Sequence, residues 1–268
     1  MDQNVKKFVA GEKLTDAIAR AKRLNKQGIN CIINHLGENI KIKKHATDHV
    51  FSYLEIIDKI SKNFLASSIS IKLSEIGFII NQSFCEVNLE KILKAASNHN
   101  VFVWIDMEEY KYMQKSLNIF RKFIKKYKNL GITIQANIRG TSEILESLIK
   151  KQARVRVVKG AYKEKQENAF QTNFQINTNY LKLMNMLFEK SDKFAIGTHD
   201  LKMIRHADTF QHRYKKNFEF QFLMGVRSKM EIDLVRAGYL VSEYVPFGKD
   251  CQGYYKRRIE EQGLHLLD

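Results

Sequence analysis

The sequence contains almost no proline and little cysteine. One proline stands among 268 residues, against a usual share of about 5%, and this excludes a proline-rich linker or stalk. The three cysteines, Cys31, Cys85 and Cys251, form no CxxC motif and stand at no zinc-site spacing from a histidine. An odd number of cysteines is typical of a reducing compartment, so we expect a cytoplasmic protein.

Long apolar runs are missing as well. The first residues, MDQNVKKFVAGEK, include no apolar segment of signal-peptide length. No stretch approaches the roughly 18 apolar residues that a membrane-spanning helix needs. Because 44% of the residues are hydrophobic, the chain can still bury a substantial core, which excludes a disordered protein. Any membrane contact is therefore expected to be peripheral, on the inner face.

Positive charge is in excess, with 45 Lys and Arg against 29 Asp and Glu and a net charge of +16. One interpretation is a polyanionic partner such as nucleic acid, an anionic membrane or a phosphate-bearing cofactor. The other is a set of lysine-rich helix surfaces, and the even spread of lysines through segments such as 121–129 favours it. No basic strand interleaved with aromatic residues is present, so no nucleic-acid partner is expected.

A short apolar, β-branched segment followed by a longer amphipathic segment recurs along the whole chain. The short segments have strand length, and most are too apolar to leave one face in water, as expected of parallel strands covered on both sides. They span residues 30–37, 68–74, 101–108, 131–137, 153–159, 193–199, 218–224 and 242–248.

The longer segments have the 3- and 4-residue apolar spacing of helices, and they imply crossover connections between parallel strands. The clearest are 47–65, 110–127, 141–151 and 176–190, and residues 12–28 form a further predicted helix that ends at Gly28. Eight such units in about 250 residues predict an α/β fold, a (β/α)8 TIM-type barrel. The alternative, a doubly wound sheet, lacks its glycine fingerprint after the first strand. One domain, 1–268, is expected.

Polar residues stand where the predicted strands end. Each has a structural explanation, since a lysine can extend past a strand end, an aspartate can cap a helix and a histidine can be satisfied inside the protein. Together they predict a site, because chemistry in such barrels gathers at the carboxyl ends of the strands. They are Lys72, Asp106, Gln135, Arg156, Lys159, Thr198, His199, Gln221 and Tyr244, with Gly160 beside Lys159.

The segment 244-YVPFGKDCQGYYKRRIEEQ-262 predicts a short helix after the last strand. Tyr254, Arg257, Arg258 and Glu261 would share one face of it. Paired guanidinium groups suit a carboxylate ligand. A solvated helix end, where arginines complement the helix dipole, explains the pair equally well, and spacing does not separate the two.

Taken in order, these motifs resemble the proline dehydrogenase family. The resembling stretches run almost from end to end: FVAGE (8–12), LGE (36–38), SIKLS (70–74), IDME (105–108), IQA (134–136), VRVVKGAYKE (155–164), THD (198–200), EFQFLMG (219–225), YVPFG (244–248) and YYKRRIEE (254–261). The resemblance implies a distorted barrel with the last helix over its mouth and a bound FAD. It implies hydride transfer from C5 of L-proline to flavin N5, giving 1-pyrroline-5-carboxylate, with a membrane quinone as electron acceptor.

The resemblance also implies roles for the substrate side of the site. Arg257, Arg258 and Lys72 would bind the carboxylate of proline, and Tyr244 and Tyr254 would pack on its ring. A tyrosine at position 244 favours proline over hydroxyproline in this family. The remaining catalytic positions are Asp106, beneath the substrate, and Glu12, which would pair with Arg258 as a gate.

The cofactor side follows from the same resemblance. Arg156 would lie near the reactive edge of the flavin and Gln135 would bond its ring. Other parts of the cofactor would be held by Lys159, Gly160, Ala161, Thr198, His199, Gln221 and Glu261. One departure stands nearby: residue 163 is lysine where family members commonly carry an aromatic residue.

Two other functions fit parts of the sequence. A barrel that has lost turnover and binds nucleic acid or a membrane surface would explain the charge, but it would not need polar residues such as Lys72 and Asp106 at its strand ends. A flavin-dependent barrel reductase, for example one acting on folates, is the second. The arginine pair indicates a small carboxylate substrate instead.

Overall fold

The computed structural model describes the backbone of residues 3–262 and the side chains of residues 5–260. Its centre is a closed barrel of eight parallel strands that neighbour one another in chain order. The strands are β1 (Asn30–His35), β2 (Ser67–Ile71), β3 (Val103–Ile105), β4 (Leu130–Gln135), β5 (Arg154–Val158), β6 (Lys193–Gly197), β7 (Asn217–Leu223) and β8 (Leu240–Phe247). Each overlaps one predicted segment, which confirms the α/β barrel.

Helices alternate with the strands. The first two precede β1, one follows each of the eight strands, and a 3-10 turn, Leu73–Glu75, lies just after β2. The helices are α1 (Gln3–Lys6), α2 (Leu14–Lys26), α3 (Lys43–Lys62), α4 (Gln82–Asn98), α5 (Tyr110–Phe123), α6 (Thr141–Ile149), α7 (Asn173–Lys190), α8 (Leu201–Tyr214), α9 (Ser228–Arg236) and α10 (Gln252–Gln262). Within the described backbone, no helix is both long enough and apolar enough to cross a bilayer.

The main core lies between the barrel and its helices. Side chains at alternate strand positions point outward, as the two-residue period of a strand dictates, and meet the apolar stripe of each helix. In α5, for example, Leu117 and Phe120 are fully buried, as the spacing of apolar residues predicts. The helix before β1 ends as predicted too, because Gly28 follows it with a φ of +77°.

The interior of the barrel is closed at its lower end by large and paired side chains. Trp104 projects inward from β3 and fits only because β4 carries Gly131, where a Cβ atom would lie 2.7 Å from the indole ring. Below it Arg154 donates to Glu219 at 3.0 Å, and Ser242 also donates to Glu219. These partners compensate Glu219 for the loss of water around its charge. Open space is therefore left at the upper end.

The last helix covers the barrel mouth, as expected from the resemblance. Tyr254 and Arg258 of α10 are buried and face the space above the strand ends. The segment before α2 holds the end of β8 that leads into this helix: Ala10 N donates to Pro246 O at 2.9 Å, and Gly248 N donates to Gly11 O at 3.0 Å. The chain thus brings its α10 face directly over the carboxyl ends of the strands.

Candidate active site

A cavity of about 1280 Å³ opens above the carboxyl ends of the strands. It exceeds the roughly 300–1,000 Å³ of most small-molecule sites, so it has room for a ligand much larger than an amino acid. The predicted site residues that line it are Lys72, Asp106, Gln135, Arg156, Lys159, Gly160, Ala161, Thr198, His199, Gln221, Tyr244, Tyr254, Arg257 and Arg258. Glu12 is exposed and is not part of this lining. The side chain of Glu261 lies outside the described residues.

Asp106, Arg156 and Tyr244 form the floor of the cavity, and we call them the inner cluster. Asp106 follows β3 directly and accepts hydrogen bonds from the Tyr244 hydroxyl at 2.7 Å and from Arg156. Ser70 donates to the same carboxylate at 2.7 Å. Three strands therefore fix one carboxylate, so its position is set by the barrel and not by a loop.

The Arg156 guanidinium is held on every side. Its nitrogens donate to Thr133 Oγ1 at 2.9 Å and to Gln221 Oε1 at 3.0 Å, and its Cζ atom lies 5.0 Å from the centre of the Trp104 ring. Burial raises the pKa of Tyr244 well above its ordinary value, and the charge of Asp106 raises it further. Tyr244 therefore remains a neutral phenol, and its hydroxyl donates a hydrogen bond to Asp106.

Lys72 follows β2 directly and lines the same cavity as the inner cluster. Its ammonium lies 3.2 Å from Glu75 and 3.8 Å from Glu38. Burial lowers the pKa of Lys72, but neighbouring groups, chiefly Glu75 and Tyr244, raise it more, so the net value lies well above its usual range. The cavity wall thus carries a fixed positive charge.

The arginine pair of α10 closes the cavity from above. Arg257 grips Glu38 with both ends of its fork, Nη1 donating at 3.0 Å and Nη2 to the other oxygen, and it lies 5.4 Å from the Tyr162 ring centre. Arg258 is buried and lies 5.1 Å from the Tyr254 ring centre. Of the two explanations for the arginine pair, the geometry therefore favours a ligand-facing face over a solvated helix end.

Polar and charged side chains line the part of the cavity above β5 and β6. Lys159 pairs with Asp200 at 2.6 Å. His199 Nε2 accepts the backbone N–H of Leu223 at 2.8 Å. Burial lowers the pKa of His199 to about 3, and the charge of Arg258 contributes to the shift. His199 is therefore a neutral imidazole that carries its proton on Nδ1.

Buried polar atoms without a protein partner mark the space that a cofactor would occupy. Among the described residues that line the cavity, these atoms include Gln221 Nε2, Asn137 Oδ1 and Asn177 Oδ1. Gly160, with a φ of +112°, stands where a Cβ atom would lie 2.1 Å from Asn137 Oδ1, so no side chain intrudes there. Size, unused donors and acceptors, and cationic neighbours all fit a flavin dinucleotide.

Two carboxylates at the site received no role from sequence reasoning. Glu38 belongs to the LGE stretch that carries the resemblance, yet only its contacts with Arg257 and Lys72 connect it to the site. Glu75 lies behind Lys72 and gave no signal in the sequence. Lys163, the departure noted above, is exposed and reaches Glu260 of α10 at 3.5 Å. Within the side chains described, no cluster of three or more His, Cys, Asp or Glu could hold a metal ion.

Comparisons with known proteins give one consistent answer. A sequence model of the family described as proline dehydrogenase matches residues 17–265. Proline dehydrogenase 2 of Bacillus subtilis is 33% identical over 263 residues, which cover 97% of this chain and 87% of that protein. Proline dehydrogenase of Deinococcus radiodurans is 28% identical over 263 residues, covering 95% and 85% of the two chains.

Solved structures agree on the fold. Proline utilization A from Bdellovibrio bacteriovorus, inactivated by N-propargylglycine, superposes with a TM-score of 0.91 at 23% identity, covering 97% of this chain and 32% of that one. The protein from Corynebacterium freiburgense gives 0.84 at 19% identity, covering 97% and 31%. The chain therefore spans about a third of these larger proteins and matches them as one barrel. With the family match over most of its length, this chain belongs to the proline dehydrogenase family.

Proposed function

We propose that this protein oxidises L-proline to 1-pyrroline-5-carboxylate and that FAD is its resident cofactor. Proline oxidation follows from membership of the family. The product is the one that the family resemblance implies, and the size of the cavity and its unpartnered polar atoms support FAD as the cofactor. The observation that carries the proposal is the convergence of Lys72, Arg257 and Arg258 on the cavity whose floor is the inner cluster.

Lys72, Arg257 and Arg258 would together form the binding site for the carboxylate of proline. Arg257 already holds a carboxylate, that of Glu38, in the two-pronged geometry that a ligand would use. Substrate would compete with Glu38 for this fork, while Lys72 and Arg258 add charge from the side. Fixing the carboxylate on α10 leaves the ring directed toward Tyr244 and Tyr254, and this orientation is the main contribution that side chains make to such a reaction.

FAD would lie in the cavity between these residues and β4 to β7. Gln135, Arg156 and Gln221 would bond its ring, and Lys159, Gly160, Ala161, Thr198 and His199 would hold its ribityl and diphosphate portions. Glu261 stays a predicted contact. When bound, the flavin supplies the hydride acceptor for C5, which no side chain can supply. The amine must be unprotonated first, and solvent can take that proton without a dedicated base.

Electrons would leave the protein to a membrane quinone. The net charge of +16 supports peripheral binding to anionic lipid, to which a well-placed lysine or arginine adds about 1 kcal/mol. The location would then be the cytoplasmic face of the membrane. Vesicle sedimentation at increasing ionic strength tests this, and indifference to lipid charge would contradict it.

A visible absorption spectrum tests the central proposal. The purified protein is expected to be yellow, with flavin near equimolar to protein, and to bleach when L-proline is added anaerobically. Protein that is colourless and takes up no added FAD would refute the cofactor. Protein that holds FAD but shows no bleaching would refute the substrate.

A further inference from the structure

Glu75 is a fully buried carboxylic acid one layer behind the cavity wall. It ends the 3-10 turn Leu73–Glu75 and exposes none of its surface. It does not belong to the cavity lining, so it cannot touch a ligand there. Burying a charged group is costly unless partners compensate for the lost water. Its partners therefore indicate what it does.

Glu75 is held between a residue of the site and a residue of the outer layer. Lys72 Nζ donates to Oε1 at 3.2 Å, and the backbone N–H of Lys72 lies 3.3 Å from Oε2. On the far side the Tyr53 hydroxyl of α3 donates to Oε2 at 2.7 Å. Glu75 thus fixes the ammonium group of Lys72 from behind, at a point set by a helix outside the barrel.

The other carboxylates around Lys72 have competing partners. Glu38 lies farther away, at 3.8 Å, and gives both oxygens to Arg257. Asp106 is taken by Arg156 and Tyr244, and Glu108 accepts from the amide and hydroxyl of Ser74. In the part of the chain with described side chains, the ion pairs of Glu75 involve Lys72 alone.

We propose that Glu75 is a positioning residue for the reaction, which holds the Lys72 side chain in the cavity wall and keeps its amino group protonated at alkaline pH. The alkaline range matters because the secondary amine of proline must lose its proton there before oxidation. Lys72 must keep its proton under the same conditions to go on attracting the substrate carboxylate. The inference rests on the proposed function only in taking the ligand of Lys72 to be a carboxylate.

The charges around the pair are consistent with this role. His35 of β1 and His49 of α3 also interact with the charge of Lys72. Burial lowers the pKa of both histidines, so neither adds a positive charge next to Lys72 in alkaline solution. Burial raises the pKa of Glu75, whereas the charge of Lys72 and the hydrogen bond from Tyr53 lower it. The same partners that Glu75 positions thus favour its carboxylate form.

The first test measures the proton on Lys72 directly and needs no substrate. Lysines are acetylated by acetic anhydride only when neutral, so labelling followed by peptide mass spectrometry gives a titration curve for Lys72. We expect Glu75→Gln to lower the midpoint by about one pH unit or more. Glu231→Gln, another buried glutamate to glutamine change, serves as the matched control and leaves the curve in place. Identical curves for wild type and Glu75→Gln would overturn the proposal.

Tyr53→Phe provides a second variant should Glu75→Gln fail to fold. It keeps the carboxylate but removes the hydrogen bond that Glu75 accepts at 2.7 Å. The labelling midpoint of Lys72 should move in the same direction by a smaller amount. A midpoint unchanged in this variant, with Glu75→Gln unfolded, would count against any control of Lys72 by Glu75.

The second test connects Lys72 to ligand binding. Tetrahydrofuran-2-carboxylate has the ring and carboxylate of proline but no amine, so pH acts only on protein groups. Between about pH 8.5 and pH 10 its dissociation constant should stay constant for wild type and rise at least fivefold for Glu75→Gln. A weakening that is equal at every pH would show a merely structural role and would sink the proposal. A shifted labelling curve with no binding by either protein would instead refute the proposed substrate.

Discussion

Two adjacent residues of β8 belong to two different buried charge clusters. Tyr244 points inward and joins the inner cluster, whereas Glu243 points outward, is fully buried and pairs with Arg20 of α2 through bonds of 2.8 and 2.5 Å. Glu231 of α9 is also buried and lies close enough to both residues for their charges to interact. We call Arg20, Glu231 and Glu243 the outer cluster.

The two clusters differ in what surrounds them and not in how deeply they are buried. The inner cluster forms the floor of the cavity, while no member of the outer cluster lines it. In the outer cluster, burial and the charge of Glu243 raise the pKa of Glu231 to about 9, against the effect of Arg20. One cation thus serves two acids, and the second acid keeps its proton. In this barrel, therefore, buried charge indicates a ligand site only where open space adjoins it.

The largest effect expected is on stability, from the outer cluster. Arg20→Met leaves Glu243 buried without its cation and should cost about 3–5 kcal/mol in the free energy of unfolding. Urea denaturation measures this loss, and Arg23→Met, exposed on the same helix, serves as the control. Proline turnover per folded molecule should not change. If Arg20→Met lost activity while keeping its stability, the distinction between the clusters would fail.

The inner cluster should respond in the opposite way. Asp106→Asn weakens the hold on Arg156 and Tyr244, and a misplaced floor should reduce kcat/KM for proline by about 100-fold. The loss of stability should be smaller than for Arg20→Met, because Arg156 keeps Thr133 and Gln221 as partners. Steady-state kinetics beside urea denaturation measure both quantities. A variant with normal kinetics would remove Asp106 from the site.

The next largest effect is expected on KM, from the cations that are proposed to bind the substrate carboxylate. If Arg257 binds the substrate carboxylate as proposed, Arg257→Met removes a charge-assisted hydrogen bond, and a loss of about 1.5–3 kcal/mol should raise KM for proline at least tenfold. Lys256→Met, its exposed neighbour, is the matched control and should leave KM unaltered. Equal KM values for the two variants would place the substrate carboxylate elsewhere.

A pH effect on stability comes from the outer side of the barrel. His49 stacks on His35 with ring centres 4.5 Å apart, and burial together with His35 lowers the pKa of His49 to about 4. Below about pH 6.5 the unfolded chain binds a proton that the folded chain does not, so stability falls by up to about 1.4 kcal/mol per pH unit. His49→Gln should flatten this dependence between about pH 6.5 and pH 4. A slope that persists in the variant would assign the effect to other groups.

Substrate selectivity gives the smallest effect. Tyr244 is proposed to pack on the substrate ring, so Tyr244→Ser should lower the preference for L-proline over hydroxyproline about fivefold. Competing-substrate assays measure the ratio directly. Because the change also removes the bond to Asp106, Tyr244→Phe is needed beside it, and this variant should keep the preference. Selectivity that survives in both variants would contradict a role for the ring of Tyr244.

The fold could be predicted because its signal is local and repeated. Each strand segment is apolar enough to be covered on both faces, and each intervening helix has the right period, so eight repeats leave few architectures. The edges were harder to predict. The segment 101–108 contains a strand of only three residues, Val103–Ile105, although the backbone bonds from Ile69 N to Phe102 O and from Asp106 N to Ile71 O continue the pairing with β2 on either side.

The candidate site could be predicted only in part. Lys72, Asp106 and Arg156 stand at strand ends, and a barrel necessarily brings strand ends together. Glu38 and Glu75 could not be found in this way, because they lie in connections whose path depends on packing. Glu75 in particular reaches Lys72 through one turn of 3-10 helix. A turn this short has no repeating pattern of apolar residues by which the sequence could predict it.

The contact between Phe8 and Tyr255, whose ring centres lie 6.4 Å apart, has a consequence for the order of assembly on the ribosome. Phe8 is synthesised early and Tyr255 only after the last strand, so the cover of the mouth cannot close until α10 has left the exit tunnel. Only four residues separate β8, the strand that closes the barrel, from α10, so the two are synthesised almost together. Completing the barrel and covering its mouth therefore depend on the same late segment of the chain.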